Sequence, residues 1–411
     1  MKKTIRSLFE NSTFLIAGAL AALIWANTDT HSYDHFTHLK IVGNLSLHFL
    51  VNEIFMAVFF ALAAKEVWEA ILPGGPLSNF RKAAMPLMAT VGGMVGPAGL
   101  FLLGVFGLGA TELTNGWAVP MATDIAFSYL IARLIFGAGH PAIPFLLLLA
   151  IADDAGSLII FAVFYPQGEF APIWLLATVG AILLALGFRK LKLQSFWWYL
   201  LGPGVLSWYS FYAVGIHPAL GLVPIIPTLP HAHTDLGLFA RDELKRHDTL
   251  NEFELWWKNP VEIFLGCFGL VNAGVAFSAM GTGTWLVLVG LLVGKPLGVT
   301  LSAWLGEKFF KLELPAGMNY RQVVIIGSIA GIGFTVALFV STAAFKAGAT
   351  LDAVKMGALF SFASAIIAII GAKLLGVGKS PPDSAPTEPP TDASEAEPGK
   401  GELVSSAQSC E

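Results

Sequence analysis

The chain has 411 residues, 55% of them hydrophobic and only 13% charged, with a mean hydropathy of +0.70. A water-soluble domain carries about 25% charged residues, so this chain could not cover its own surface in water and its solvent must be lipid. The formal net charge of -4 discriminates nothing by its sum, and two cysteines, Cys267 in an apolar run and Cys410 near the C-terminus, do not make a disulfide framework.

Lys2, Lys3 and Arg6 precede an apolar run from Phe14 to Ala26, a pattern common to signal peptides and first membrane helices. The small-residue cleavage signal around Trp25, Ala26 and Asn27 is poor and equally apolar runs follow, so this segment reads as an uncleaved first helix. A hydrocarbon core of about 30 Å takes roughly 20 apolar residues per helix, fewer where a helix is broken inside protein. That ruler gives about twelve spans. They fall at roughly 12–29, 46–70, 85–107, 118–136, 142–165, 171–188, 198–215, 217–229, 254–278, 284–305, 323–346 and 353–376. The expected fold is an all-α polytopic membrane domain over residues 1–378. Gly215, Pro218 and Gly221 place a tight turn between the short seventh and eighth helices.

Lys and Arg positions orient the spans. With the N-terminus inside, inner loops hold Lys65, Arg81, Lys82, Arg133, Arg189, Lys190 and Lys192. They also hold Arg241, Lys245, Arg246, Lys258, Lys308, Lys311, Arg321 and Lys373, whereas outer loops hold only Lys40, Lys346 and Lys355. Both termini are therefore expected in the cytoplasm. The longest outer loop, residues 31–46, alternates around His38–Leu45 with a turn candidate at Asn44. It fits a short β-hairpin, whose open edge could pair with a second copy of the chain, as well as it fits an ordinary loop. His231, His233 and His247 lie in a polar cytoplasmic loop and read as solvated rather than metal-bound. From Lys379 to Glu411 the chain is rich in Pro, Ser, Glu, Asp and Thr, the composition of a disordered cytoplasmic tail.

Ionisable groups at membrane depth carry the functional signal, because each costs about 2.5–3.5 kcal/mol at a span centre even on a lenient scale. Asp124, Asp153, Asp154 and Lys295 stand there, while Glu53 and Glu262 lie nearer span ends. Neighbours on a helix point about 100° apart, so Asp153 and Asp154 cannot share one face. One can face an ion cavity and the other a partner on a neighbouring helix. Lys295 can neutralise only one of the two, which leaves the other to bind something. Adjacent carboxylates also titrate as a coupled pair, so the site suits an exchange of protons for a metal cation. Pro120 in the fourth span and Gly327, Gly331 and Gly333 in the eleventh weaken continuous helix. Broken helices would bring dipole ends, each about half a charge, to the midplane. There Asp124 and Lys295 would compensate ends of opposite sign. Close helix packing is the better explanation of the glycines alone, but it does not account for the two charges. A hard cation such as sodium needs oxygen ligands, and Asp154, Asp153, Thr123 and unwound carbonyls are the available set.

The stretches VPMATDIAFSYL (119–130), LLAIADDAGSLIIFAVFY (148–165), LLVGKPLGV (291–299) and GIGFTVALF (331–339) together resemble the NhaA sodium/proton antiporters. So do NEIFMAVFFALAAKEV (52–67), VNAGV (271–275) and GIHPALGLV (215–223), in order over residues 12 to 376. The resemblance implies twelve spans with inverted repeats and two discontinuous helices crossing at the midplane, in a bacterial inner membrane. It implies Asp154 as the cation ligand and proton carrier, and Asp153 as its partner, bound alternately to Lys295 or the cation. Thr123 and Asp124 match the unwound part of the fourth helix, and Lys295 the lysine that compensates negative dipole ends. Na⁺ or Li⁺ would leave in exchange for a larger number of entering protons. Glu66 matches an acidic residue at the funnel entrance and His217 a histidine linked to the pH response. No resident cofactor and no nucleic-acid partner are expected. The chain departs from the family pattern at Val67-Trp68-Glu69-Ala70, at Glu53 where Asp is usual, and in the loop 241–260, so a pH threshold does not transfer. An intramembrane aspartyl protease would need its two aspartates on different helices, and a sodium-coupled symporter would need a larger polar cavity.

Overall fold

Lipid offers the backbone no hydrogen-bond partners, so a chain that crosses it must satisfy its N–H and C=O groups within helices. The computed structural model describes residues 12–43, 45–137, 139–231 and 248–378, and these are mostly helical. In chain order the helices are α1 (Thr13–Thr28), α2 (Thr30–Thr37), α3 (Leu47–Ile71), α4 (Phe80–Leu108) and α5 (Ile125–Phe136). Then follow α6 (Ala142–Phe164), α7 (Pro172–Lys190), α8 (196–214), α9 (Pro218–Thr228) and α10 (Thr249–Asn272). The last are α11 (Thr282–Phe310), α12 (Tyr320–Ala330), α13 (Phe334–Ala344) and α14 (Ala349–Leu374). His233, His247 and the tail from Lys379 lie outside the described residues.

Among the described residues, 6 helices (α3, α4, α6, α7, α11 and α14) are long and apolar enough to cross a membrane, and the α12–α13 pair, bent by 50°, makes up to 7. α1, α5 and α9 are apolar but shorter. Large apolar side chains such as Leu103, Ile159, Leu183, Leu201 and Ile366 stand well exposed, which water would penalise and lipid does not. The chain is a multi-pass helical membrane protein.

Among the departures from the hydropathy reading, two have a polar cause. α10 begins at Thr249, ahead of the apolar run, because the Asp248 carboxylate caps it by accepting the Asn251 N–H at 2.8 Å. Residues Thr30–Thr37, polar enough to read as loop, form α2 because Asp29 accepts the Ser32 N–H at 3.0 Å. Beyond α2, β1 (Lys40–Val42) and β2 (Leu45–Ser46) pair antiparallel, with Lys40 opposite Ser46 and Val42 opposite Leu45.

The contact that positions the site is between α4 and α11. Gly92 and Gly96 lie one turn apart on α4, as do Gly294 and Gly298 on α11. A Cβ built on Gly298 would stand 2.0 Å from the Gly92 carbonyl oxygen, and one on Gly96 2.4 Å from that of Gly294. Small residues at four-residue spacing on both helices therefore let the backbones touch. This fixes the height of Lys295, which follows Gly294 directly.

Candidate functional site

No regular helix runs through Pro120. Thr111–Ala118 form a 3-10 helix, residues 119–124 follow without regular helix, and α5 starts at Ile125. Residues 331–333, the break between α12 and α13, lie directly against this stretch. The Asp124 N–H donates to the Ile332 carbonyl at 2.7 Å, and the Thr123 hydroxyl to that of Ala330 at 3.1 Å. A Cβ on Gly333 would come within 2.7 Å of the Ala122 carbonyl oxygen, so this close approach requires glycine.

Charges of both signs sit at this contact. Asp124 caps α5 by accepting the Phe127 N–H at 3.3 Å, and its second oxygen accepts the hydroxyl of Thr335, in the first turn of α13. Its carboxylate thus stands at two helix N-termini, the positive ends of their dipoles. The Lys295 ammonium donates to the Met121 carbonyl, in the irregular stretch between the 3-10 helix and α5.

Asp153 and Asp154 project from the middle of α6. Asp153 and Lys295 are both 0% exposed, with Nζ 2.8 Å from Asp153 Oδ2. The same oxygen accepts the Thr123 hydroxyl at 2.7 Å. The adjacent Asp154 points elsewhere, into a cavity walled by Phe59, Phe60, Phe161 and Phe339. Asp153 Oδ1, Asp154 Oδ1 and Ser157 Oγ are buried without a hydrogen-bond partner. Orphaned carboxylate oxygens are costly in an apolar surround, and a proton or a cation relieves that cost. All available donors are hard oxygens, a set that fits an alkali cation.

No hydrogen bond or ion pair among the described residues joins the two residues matched to the pH response, Glu66 and His217, to Asp153 or Asp154. Glu66 is on α3 next to Lys65, which is buried and ion-paired with Glu69 and Glu254, both at 2.5 Å. His217 precedes α9 with Nδ1 3.2 Å from Glu53 Oε2. Its ring centroid is 5.2 Å from that of Phe161 and 4.9 Å from that of Phe339, two walls of the Asp154 cavity. Sequence reasoning missed Thr335, the Met121 carbonyl and Ser157. Thr335 lies inside the quoted motif GIGFTVALF, a signal that was there to use; a backbone carbonyl has no such signal.

In a multi-pass helical membrane protein, paired charges buried where residues 119–124 meet 331–333 fit an ion transporter. A family model described as Na+/H+ antiporter 1 matches residues 2–375. The "Na(+)/H(+) antiporter NhaA" of Jannaschia sp. (strain CCS1) is 53% identical over 90% of this chain and 97% of its own length. The protein of the same name from Geotalea uraniireducens (strain Rf4) is 50% identical over 92% and 98%, and that from Geobacter sulfurreducens 46% identical over 93% and 100%. The chain belongs to the Na+/H+ antiporter 1 family.

Proposed function

We propose that this protein exports Na⁺, or Li⁺, in exchange for protons by letting both compete for Asp153 and Asp154. The observation that carries the reading is the pair of orphaned, buried carboxylate oxygens beside a Lys295–Asp153 ion pair at 2.8 Å. Asp154 binds either protons or the cation. When the cation enters, Asp153 turns from Lys295 to complete its oxygen shell, with Thr123 beside it. Only a proton-loaded or a cation-loaded site changes sides, and the empty site does not, which couples the two flows.

The architecture that serves this has about twelve spans, arranged as inverted repeats with two discontinuous helices at the midplane. The contacts of residues 119–124 with 331–333, and the placing of Asp124 at two helix N-termini, support it. Positive charge clustering on one side supports cytoplasmic termini in a bacterial inner membrane. The open edge of the β1–β2 pair supports lateral pairing with a second copy in the lipid.

The test is dequenching of a pH-sensitive dye in acidified everted vesicles on adding Na⁺, Li⁺ or K⁺. The parent protein responds to Na⁺, and Asp154→Asn, inserted at the same level, loses the response by at least about 100-fold, in the range seen when an essential group is removed. Robust exchange by Asp154→Asn would place the site elsewhere.

A further inference from the structure

Asp154, Ser157, Phe161 and Tyr165 follow one another along α6 and its C-cap at spacings of three, four and four residues. On a helix such positions form one stripe. Two cavities open onto this stripe. The first holds Asp154, Ser157 and Phe161, and the second holds Ser157, Phe161 and Tyr165. Ser157 is the polar side chain lining both. Its hydroxyl is buried without a partner, one helical turn beyond the orphaned oxygen of Asp154. Tyr165, at the far end, is already engaged: its hydroxyl donates to the Asn115 carbonyl at 2.7 Å and accepts the Ala118 N–H at 3.3 Å.

A serine buried on a membrane helix ordinarily returns its hydrogen bond to a backbone carbonyl one turn back, as Ser328 does to Val324 at 3.0 Å. Ser157 does not, and leaves both its proton and its lone pairs toward the cavities. We infer that Ser157 is a second oxygen station for the alkali cation, coordinating it between Asp154 and the α6 C-terminal side, and so helps set affinity and choice among Na⁺ and Li⁺. The inference rests on Asp154 being the transport carboxylate. With the ion bound the hydroxyl turns a lone pair to the cation. A hydroxyl is neutral, so it adds a ligand without adding a competing proton site.

The experiment measures apparent KM for Na⁺ and Li⁺ in everted vesicles for Ser157→Ala, Ser157→Thr and Asp154→Asn. Ser157→Ala is expected to raise the Na⁺ KM about threefold to tenfold, the size of one hydroxyl contact, and to change the Na⁺/Li⁺ ratio. Ser157→Thr, which keeps the hydroxyl, stays within about twofold of the parent. Unchanged KM values for both ions in Ser157→Ala overturn the inference, and so does a Ser157→Thr as impaired as Ser157→Ala, which points to packing alone. If Ser157→Ala fails to insert, Ser157→Cys with Cys267→Ser and Cys410→Ser decides by labelling with a small cationic methanethiosulfonate. Labelling that Na⁺ slows and choline does not supports the station; labelling indifferent to Na⁺, or none, removes it. Exchange surviving in Asp154→Asn would instead overturn the underlying site, whatever Ser157 does.

Discussion

At Lys295 the cost of burial and the gain of pairing can be separated by mutation. Both partners of the Lys295–Asp153 pair are buried; Thr123 also donates to Asp153 Oδ2, and Lys295 also donates to the Met121 carbonyl. Removing one partner of a buried pair costs about 3–5 kcal/mol, whereas removing both charges costs far less. Lys295→Ala should therefore lower thermal stability in detergent markedly, and Lys295→Ala with Asp153→Asn should recover most of the loss. A single variant as stable as the parent, or a double variant no better than the single, would show that the pair does not act as a unit. The same physics explains why these charges were legible in the sequence. An Asp or Lys inside an apolar run has no innocent explanation, because lipid makes it expensive. Thr335, Ser157 and the Met121 carbonyl carry no such penalty from composition. A hydroxyl on a membrane helix can bond its own backbone, and only packing reveals that Thr335 instead reaches Asp124 and that Ser157 reaches nothing.

Helices were legible to within a few residues wherever lipid alone dictates length, as for α3, α6 and α7. Where polar chemistry sets the boundary, hydropathy misreads it: Asp248 starts α10 early, and Asp29 makes a helix of residues taken for loop. The breaks at 119–124 and 331–333 were legible only because Pro120 and the glycines fell beside charges that needed compensation. Glycine spacing alone favours close packing, and the glycines here make two different contacts. Gly333 serves the crossing, while Gly298 serves the contact of α4 with α11. At Gly298 even one added carbon would overlap the Gly92 carbonyl. Gly298→Val should push the two helices apart, cost at least about 1–3 kcal/mol by overpacking, and displace Lys295 one turn away. Sodium-dependent exchange is expected to fall more than tenfold, a displacement effect of the size a 1 Å misplacement can produce. Gly180→Ala on α7, where a Cβ meets nothing within 4 Å, serves as the control. Equal activity and stability in both variants would deny the α4–α11 contact its positioning role.

For the molecule as a whole, exchange requires that a single site serve both cargoes in turn, and this has a signature in pH. In the proposed mechanism protons and sodium compete for the orphaned oxygens of Asp153 and Asp154, each occupying the site at the other's expense. Lowering the pH loads the carboxylates with protons and weakens apparent sodium affinity. Raising it releases them and strengthens that affinity, until the site is deprotonated and affinity levels off. Below that plateau the apparent KM for Na⁺ should change about tenfold per pH unit for each proton displaced. The steepness of log KM against pH thus counts the protons that compete with one cation. At saturating sodium, competition alone leaves the maximal rate unmoved. A separate regulatory group, such as Glu66 beside the Lys65 cluster or His217 beside Glu53, would change the maximal rate and leave affinity alone. Initial rates of dye dequenching across a matrix of sodium concentration and pH separate the two. A KM constant with pH, under a maximal rate that rises, would mean that protons act away from Asp153 and Asp154, and that this pair handles the cation without being the place of exchange.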